Sequence, residues 1–240
     1  GLNQSVLELS HRSPEFNQIA QGCRDELRRY LNVPEDFEIL LGQGGASIQY
    51  TSIVKNLIGL KPARKAMYLT TGHWSKECVK EARKFVDQDN LIEVAEAQNH
   101  HLPEFNRWVI DPEASYFHVC WNETVDGLEF TNETFPWDLI PKDIPIVADM
   151  SSNIGTQQVN WERIHVAYMG AQKNLGPAGC CVVIVKKSLL GFADKDVPLM
   201  NDWRRHIESP NGYYNTPPTF SIYVMGMNVA LMNQQGGVPH

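Results

Sequence analysis

The sequence has no long apolar segment and no excess of basic residues. Its longest uncharged apolar run, Cys180 to Val185 with its small neighbours, is far shorter than the ~20 residues of a membrane-spanning helix. Asp and Glu number 28 against 21 Lys and Arg, which gives a net charge of −7. Surfaces that bind nucleic acids are usually basic. The sequence therefore predicts neither a membrane nor a nucleic acid as a partner.

Cysteine is scarce and lacks the spacing of a metal or redox motif. The five cysteines stand at positions 23, 78, 120, 180 and 181, an odd number with no Cys-x-x-Cys pair. They are interpreted as buried thiols of a reducing compartment, which favours a cytoplasmic protein. His100 and His101 have metal-binding side chains but no partners at ligand spacing, so no metal site is predicted.

The order of apolar segments predicts an α/β fold. Ser13 followed by Pro14 is typical of a helix start, and a helical pattern continues to Leu27. With helical patterns between several strands, the alternation favours a mostly parallel seven-stranded sheet flanked by helices. The strands are expected near 37–41, 66–70, 91–94, 116–121, 146–149, 165–169 and 180–185.

A single lysine, Lys173, lies in a glycine-rich turn between two apolar strands. A lysine held between buried strands would be desolvated, which favours the neutral and nucleophilic amine that forms Schiff bases. The alternative is an ordinary loop lysine between two strands. Lys173 is therefore a candidate for holding an aldehyde-bearing cofactor.

A buried strand upstream ends in a carboxylate, Asp149. An acid at the carboxyl end of a parallel strand points into the ligand crevice of an α/β sheet. There it can pair with a pyridinium nitrogen and keep such a ring effective as an electron sink. Alternatively, an Asp after a strand is a helix cap or a turn former.

Two further turns follow predicted strands. In the first, Gly44 and Gly45 precede Ala46 and Ser47, whose amides at a helix start can hold a phosphate group, although many connecting turns look the same. In the second, Trp74 begins a helix predicted from Ser75 to Phe85. Its indole can stack on a flat ring or simply anchor the helix to the sheet.

Together these segments resemble the phosphoserine aminotransferase family, pyridoxal-phosphate enzymes of the class V aminotransferase group. The resemblance runs from Ser5 to Gly237. It is carried, in the order of the family, by Leu9-Ser10-His11-Arg12-Ser13, Gln43-Gly44-Gly45-Ala46-Ser47, Gly72-His73-Trp74-Ser75, Asn122-Glu123-Thr124-Val125-Asp126-Gly127, Asp149-Met150-Ser151-Ser152-Asn153, Gly170-Ala171-Gln172-Lys173-Asn174 and Tyr214-Asn215-Thr216-Pro217-Pro218-Thr219-Phe220.

The resemblance implies a fold-type I large domain that binds pyridoxal 5'-phosphate. It implies that Lys173 forms the internal aldimine, that Asp149 pairs with the pyridine nitrogen and that Trp74 stacks on the ring. The remaining implied contacts are Thr124 to the phenolic oxygen, Gln172 along the ring, Ala46 and Ser47 to the phosphate, Asn215 and Thr216 to the same phosphate from the other subunit of a homodimer, and His11 and Arg12 to the anionic substrate.

The implied reaction belongs to serine biosynthesis. It moves an amino group from L-glutamate to 3-phosphohydroxypyruvate, giving 2-oxoglutarate and O-phospho-L-serine. Lys173 would act as general base and acid, and ping-pong kinetics are expected.

The resemblance also implies which domain of the family this chain represents. Residues 1–240 are expected to form the large cofactor-binding domain, with the family's amino-terminal arm partly absent and its small carboxyl-terminal domain absent. Because that domain supplies substrate-binding arginines, one alternative is a fragment that binds the cofactor but is catalytically impaired, or a remnant without activity. Another is a different fold-type I enzyme, such as a cysteine desulfurase or an alanine–glyoxylate aminotransferase.

Two smaller features complete the predictions. Arg204-Arg205-His206 could form a second phosphate-binding cluster, but a charged triplet after Trp203 is more typical of a solvated loop. Tyr213 and Tyr214 are expected to pack a contact between subunits rather than to do chemistry.

Overall fold

The structure is a computed structural model that describes residues 4–99 and 101–238. In these residues the strands are β1 (Phe37–Gln43), β2 (Lys65–Thr70), β3 (Leu91–Glu96), β4 (Ala114–Cys120), β5 (Asn122–Glu123), β6 (Leu128–Glu129), β7 (Ile146–Asp149), β8 (Ile164–Gly170) and β9 (Cys180–Lys186). The α-helices are α1 (Pro14–Tyr30), α2 (Ile48–Leu57), α3 (His73–Ala82), α4 (Trp203–Glu208) and α5 (Thr219–Gln234).

Seven of the strands in the described residues form one sheet, in the spatial order β1-β9-β8-β7-β4-β2-β3. All neighbours are parallel except β9, which runs antiparallel to both β1 and β8. A crossover between parallel strands needs a dozen or more residues, and the turn 171–179 between β8 and β9 is shorter than that. The predicted mostly parallel sheet is therefore confirmed, with β9 as the exception.

Helices cover both faces of the sheet. One apolar cluster joins α1 and α5 to the sheet and includes Phe16, Leu27 and Met225. The other joins α2 and α3 to the opposite face and includes Ile53 and Cys78. Because successive strand residues point to opposite faces, neighbours along one strand belong to different clusters and the sheet is buried on both sides.

Helix α1 begins as the sequence predicts. The Ser13 hydroxyl accepts a hydrogen bond from the Phe16 amide, and Pro14 occupies the first helical position. Later in the helix, the Arg28 guanidinium donates to the carbonyl of Phe37 and the Arg24 guanidinium to the carbonyl of Ile39. Two arginines of α1 therefore satisfy backbone acceptors of β1, a strand at the edge of the sheet.

The charged triplet 204–206 lies in a helix, so its interpretation as a loop is wrong. The Asp202 carboxylate accepts from the amides of Arg204 and Arg205, which caps the first turn of α4. Arg204 also pairs with Glu208 one turn later. Local capping and an i,i+4 ion pair hold this surface segment helical.

Tyr213, expected to pack a contact between subunits, packs inside its own chain. Its side chain is buried, and its hydroxyl lies 3.1 Å from the His11 carbonyl and 2.9 Å from the Asn17 side-chain oxygen. Tyr214 is exposed. The two neighbouring tyrosines thus differ, and Tyr213 ties the 213–216 segment to the residues before α1.

Two general features follow from the described residues. All five cysteines are free and buried there, as the sequence predicts. None of the helices in this part of the chain has both the length and the hydrophobicity needed to cross a membrane.

Candidate functional site

A pocket opens at one edge of the sheet. It lies where β4 and β7 end and where the turn after β8 begins, so the carboxyl ends of parallel strands form its floor, as is usual for α/β folds. Its walls come from the start of α2, the start of α3 and the β5–β6 hairpin. The lining residues are Gly44, Gly45, Ala46, Ser47, Tyr50, Trp74, Cys120, Asn122, Thr124, Asp149, Ser151, Ser152, Gln172 and Lys173.

Lys173 lies in this pocket, in the turn between β8 and β9. Its ammonium donates to the Thr124 hydroxyl at 2.6 Å and lies 5.8 Å from the centre of the Trp74 ring. The side chain is exposed, so the expectation of a lysine desolvated between buried strands is wrong. The turn extends past the ends of both strands, and this brings the amine into the open pocket rather than into the core.

Asp149 is the last residue of β7 and is buried, with 6% of its surface exposed. Ser151 donates to one of its carboxylate oxygens from both its amide, at 3.0 Å, and its hydroxyl, at 2.6 Å. Burial raises the pKa of the Asp149 carboxyl, while the hydrogen bonds from Ser151, the Tyr168 hydroxyl and the positive charge of Lys173 oppose that rise. The pocket thus holds a buried acid with donors that favour its ionised form.

The glycine turn before α2 has the form of an anion cradle. Gly44 and Gly45 have φ values of +89° and +81°, a region that side chains rarely enter. Within the described residues, no acceptor is found for the backbone amides of Gly45, Ala46 and Ser47. These amides precede the first turn of α2, where the helix dipole also favours an anion.

Trp74 is the second residue of α3, and its ring lies at the pocket wall. The amide of Trp74 donates to the Glu123 carboxylate at 2.9 Å. Its indole N–H is buried and has no acceptor within the described residues. The predicted helix is present, but it begins at His73 and ends at Ala82, earlier at both ends than the range Ser75 to Phe85.

Thr124 and Gln172 also face the pocket. Thr124 belongs to the turn that follows β5, and its hydroxyl accepts from Lys173. Gln172 folds back over Gly170, where an added Cβ would lie 2.5 Å from the Gln172 side-chain oxygen. The structure therefore brings together all seven residues predicted for one chain's cofactor site, namely Ala46, Ser47, Trp74, Thr124, Asp149, Gln172 and Lys173.

The other predicted site residues do not line this pocket. Asn215 and Thr216 are exposed, and the Thr216 carbonyl accepts from the Gln43 side chain. His11 lies beside Tyr213, with ring centroids 6.2 Å apart, and Arg12 is exposed next to it. These four residues therefore flank one surface segment around Tyr213, outside the chain's own pocket.

Several pocket residues carried no predicted role. Ser151 follows the predicted acid by two residues, a spacing typical of a turn in which a serine bonds to an aspartate, and this signal could have identified it. Tyr50 lies one helical turn after Ala46, and Asn122 bonds to the Ser152 hydroxyl at 2.9 Å. The sequence gives no comparable signal for Tyr50 or Asn122, because their contacts depend on how distant segments meet.

Within the described residues, no group of three or more His, Cys, Asp or Glu side chains could hold a metal ion. His101 is among these residues, whereas His100 lies outside them.

The pocket combines four chemical functions within one cavity. It offers an amine, a buried acid, an aromatic wall and a group of amides at a helix start that have no acceptor in the described part of the chain. Such a set matches a flat, basic aromatic ring that carries an aldehyde and a phosphate. The chemistry available is carbonyl capture by the amine together with proton transfer by the same group.

Comparisons with known proteins agree with this arrangement. The family model described as Aminotransferase class-V matches residues 2–239. The phosphoserine aminotransferase of Herminiimonas arsenicoxydans is 41% identical over 242 residues, and that of Marinomonas sp. is 40% identical over 239 residues. Each alignment covers 99% of this chain but 64% of the relative, so the chain spans a little under two thirds of these proteins.

A solved structure shares both fold and sequence. The PLP-bound phosphoserine aminotransferase of Trichomonas vaginalis superposes with a TM-score of 0.88 at 34% identity, covering 98% of this chain and 68% of that one. The match to the family model extends over nearly all of the sequence. The chain therefore belongs to the class-V aminotransferase family.

Proposed function

We propose that this chain is the cofactor-binding part of a phosphoserine aminotransferase. The reaction would move an amino group between L-glutamate and 3-phosphohydroxypyruvate, giving O-phospho-L-serine and 2-oxoglutarate by a ping-pong mechanism, as a step of serine biosynthesis. The observation that carries the proposal is the meeting of Lys173, Asp149, Trp74 and Thr124 in one pocket. The relatives and the solved structure, all of which are phosphoserine aminotransferases, support the substrate class.

Pyridoxal 5'-phosphate is the cofactor that the pocket residues fit. Ala46 and Ser47 would hold its phosphate through amides that have no other acceptor in the described chain. Trp74 would cover one face of the ring, and Asp149 would face its nitrogen. When bound, the cofactor supplies an electron sink for the bonds at the substrate Cα.

The residues of the chain have distinct tasks in this reaction. The Lys173 amine would hold the cofactor and, once the substrate amine has displaced it, move a proton on and off the substrate Cα. Thr124 accepts from that amine at 2.6 Å and so keeps it aimed at the pocket. Ser151 favours the ionised form of Asp149 by donating two hydrogen bonds to it. Gln172 would line the ring beside the lysine.

A homodimer with shared sites is part of the proposal. Asn215 and Thr216 are exposed outside the chain's own pocket, as expected for residues that reach the phosphate of a partner's cofactor.

Helix α5 leaves Phe220, Met227 and Leu231 about half exposed, and an apolar stripe of this kind is typical of an interface. His11 and Arg12 would bind the anionic substrate from the same surface segment.

Five buried free thiols support the proposed cytoplasmic location, since free thiols persist in reducing compartments.

The visible absorbance of the purified chain tests this function. Added pyridoxal phosphate should give a protein-bound band, and O-phospho-L-serine should then change that band because its amino group is transferred. Lys173→Ala should prevent both changes, whereas Lys195→Ala, an exposed lysine outside the pocket, should leave them intact. No band with the unchanged chain would contradict cofactor binding.

The same measurement separates the alternatives. A band that ignores phosphoserine would favour a fragment that binds the cofactor without the groups needed for the substrate. A band that responds to L-cysteine or L-alanine but not to phosphoserine would favour another enzyme of this fold. Lys173→Ala chains that still transfer the amino group would overturn the assigned role of the lysine.

Mixing two inactive variants tests the shared site. Chains with Lys173→Ala should lack the band, and chains with both Asn215→Ala and Thr216→Ala should bind the phosphate poorly. Random pairing should restore about a quarter of the sites, because half of the pairs are mixed and each holds one intact site. No recovery on mixing would contradict a site built from two chains.

A further inference from the structure

The start of α3 is held by carboxylates from a segment about 50 residues away. Three successive amides of its first turn donate to the β5–β6 hairpin. His73 donates to Asp126 at 2.7 Å, while Trp74 and Ser75 each donate to Glu123 at 2.9 Å. Amides in the first turn of a helix have no partners within the helix. Here the partners come from the hairpin that carries Thr124.

Glu123 is a fully buried carboxylate, with 0% of its surface exposed. Burying a charge is unfavourable unless hydrogen bonds and opposite charge compensate for it. Besides the two α3 amides, the Thr71 hydroxyl donates to Glu123 at 3.3 Å. The positive end of the α3 dipole also faces it. These donors stabilise the Glu123 carboxylate and hold it in one position.

The backbone of Glu123 fixes the hairpin from the other side. Its carbonyl accepts from the Gly127 amide at 2.8 Å, which closes the turn between β5 and β6. The next residue is Thr124, whose hydroxyl accepts from Lys173. One residue thus joins the wall that carries Trp74 to the wall that contacts the lysine.

The close fit leaves room only for glycine before α3. A Cβ added at Gly72 would lie 2.3 Å from an Asp126 carboxylate oxygen and 2.8 Å from the Glu123 carboxyl carbon. Both carboxylates therefore approach the backbone at the helix start directly, and a methyl group there would separate the two segments.

We propose that Glu123, assisted by Asp126, is a positioning residue that sets the spacing between Trp74 and the Thr124–Lys173 pair. Its carboxylate bonds to neither the Lys173 amine nor the Trp74 indole. It acts through the α3 amides and the hairpin backbone. The inference rests on the proposed function, since that spacing is the width available to the cofactor ring. The proposal also predicts the rates of amide hydrogen exchange at the start of α3 in the chain without cofactor.

The test compares Glu123→Gln with a matched control, Glu129→Gln. Glu129 belongs to the same hairpin but is exposed and accepts from Asn153. In the free chain, amide hydrogen exchange at Trp74 and Ser75 should become about tenfold faster in Glu123→Gln, since bonds to a charged acceptor are lost. The control should leave both rates within about twofold of the original chain.

The second readout is pyridoxal phosphate affinity, followed by the quenching of tryptophan fluorescence. Glu123→Gln should raise the dissociation constant about tenfold, and Asp126→Asn, which removes the charge from the acceptor of one bond at a less buried site, about threefold. Gly72→Ala should weaken binding without any change of charge. Denaturant unfolding of each variant, with binding measured well below its midpoint, separates positioning from a loss of folded protein.

The outcomes are distinct. Affinity equal to that of the original chain in folded Glu123→Gln would overturn the inference, as would unchanged exchange at Trp74 and Ser75. If the original chain binds no pyridoxal phosphate, the proposed function fails, and the exchange rates alone decide whether Glu123 positions the start of α3. If Glu123→Gln does not fold, Asp126→Asn and Gly72→Ala decide in its place, and normal affinity in both would overturn the inference.

Discussion

Ser151 donates two hydrogen bonds to the same carboxylate oxygen of Asp149, at 3.0 Å from its amide and at 2.6 Å from its hydroxyl. The two residues are separated by one position along the chain, so the contact is local and comes from the turn that follows β7. It opposes the effect of burial, which raises the pKa of the Asp149 carboxyl. The acid of the pocket is therefore held by its own turn.

Replacing Ser151 with alanine should raise the pKa of Asp149 further, because one donor to the ionised form is lost. A carboxyl with a raised pKa loses its charge at a higher pH as the solution is acidified. The affinity for pyridoxal phosphate should therefore fall at a higher pH than in the original chain, with a loss of about tenfold at the acidic end.

Titrations of the cofactor between pH 5 and 8 measure this effect. Ser152→Ala is the matched control, since the Ser152 hydroxyl lines the same pocket but bonds to Asn122. Identical pH profiles for Ser151→Ala and the original chain would contradict the role assigned to Ser151.

Trp74 should tolerate phenylalanine better than alanine. Phenylalanine keeps an aromatic face for stacking and removes an indole N–H that is buried without an acceptor in the described residues. Trp74→Phe should thus change the unfolding free energy of the free chain by less than about 1 kcal/mol. Trp74→Ala should lower the unfolding free energy by about 2 kcal/mol and weaken the binding of pyridoxal phosphate about tenfold.

Chemical denaturation and cofactor titration of both variants provide the measurement. Equal cofactor affinity in the alanine and phenylalanine variants would show that the ring face contributes nothing to binding.

His118 should make the fold sensitive to acid. It is buried beside Tyr168, with Nε2 and the tyrosine oxygen 2.8 Å apart, and burial lowers the pKa of His118 to about 3. In the unfolded chain the ordinary value is 6.5. Between these values the unfolded chain binds a proton that the folded chain does not, so stability falls as the pH decreases.

A single such histidine should reduce the unfolding free energy by about 2 kcal/mol between pH 7 and pH 5. His118→Gln keeps a hydrogen-bonding side chain but does not titrate. Urea unfolding at both pH values should show a smaller decrease for the variant by about that amount. The same decrease in both chains would mean that His118 is accessible to protons in the folded state.

Two glycines with open space around them should respond to alanine in opposite ways. At Gly22 and Gly45 an added Cβ meets no atom within 4 Å. Gly22 lies inside α1, so Gly22→Ala should stabilise the chain by about 0.5–1 kcal/mol. Gly45 has a φ of +81°, so Gly45→Ala should destabilise it by about 1–2 kcal/mol. Thermal unfolding of both variants measures the direction of each stability change. Changes in the same direction would contradict the opposite effects expected for Gly22 and Gly45.

The sequence predicts the frame of the fold well because its signals are local. Each strand of the sheet corresponds to an apolar run of its own, and the start of α1 follows from the side chain of Ser13 and the ring of Pro14. The pocket could be predicted for a related reason, since Asp149 ends one strand and Lys173 follows another, and both strands end at the same edge of the sheet.

Other features depend on contacts that no local pattern records. The exposure of Lys173 is set by how far its turn extends past the strands, and the packing of Tyr213 by where the residues around His11 lie. The bonds from α3 to Glu123 join segments about 50 residues apart. A helix start with unpaired amides is visible in the sequence, but the group that pairs with them is not.

The arginines of α1 have a consequence for aggregation. An exposed edge strand offers backbone groups to strands of other molecules and so invites fibre growth. At β1, the carbonyls of Phe37 and Ile39 already accept from Arg28 and Arg24. At the opposite edge, β3 carries Glu93 and Glu96, which pair with Arg83 and Lys76. Both margins of the sheet therefore resist extension by a foreign strand.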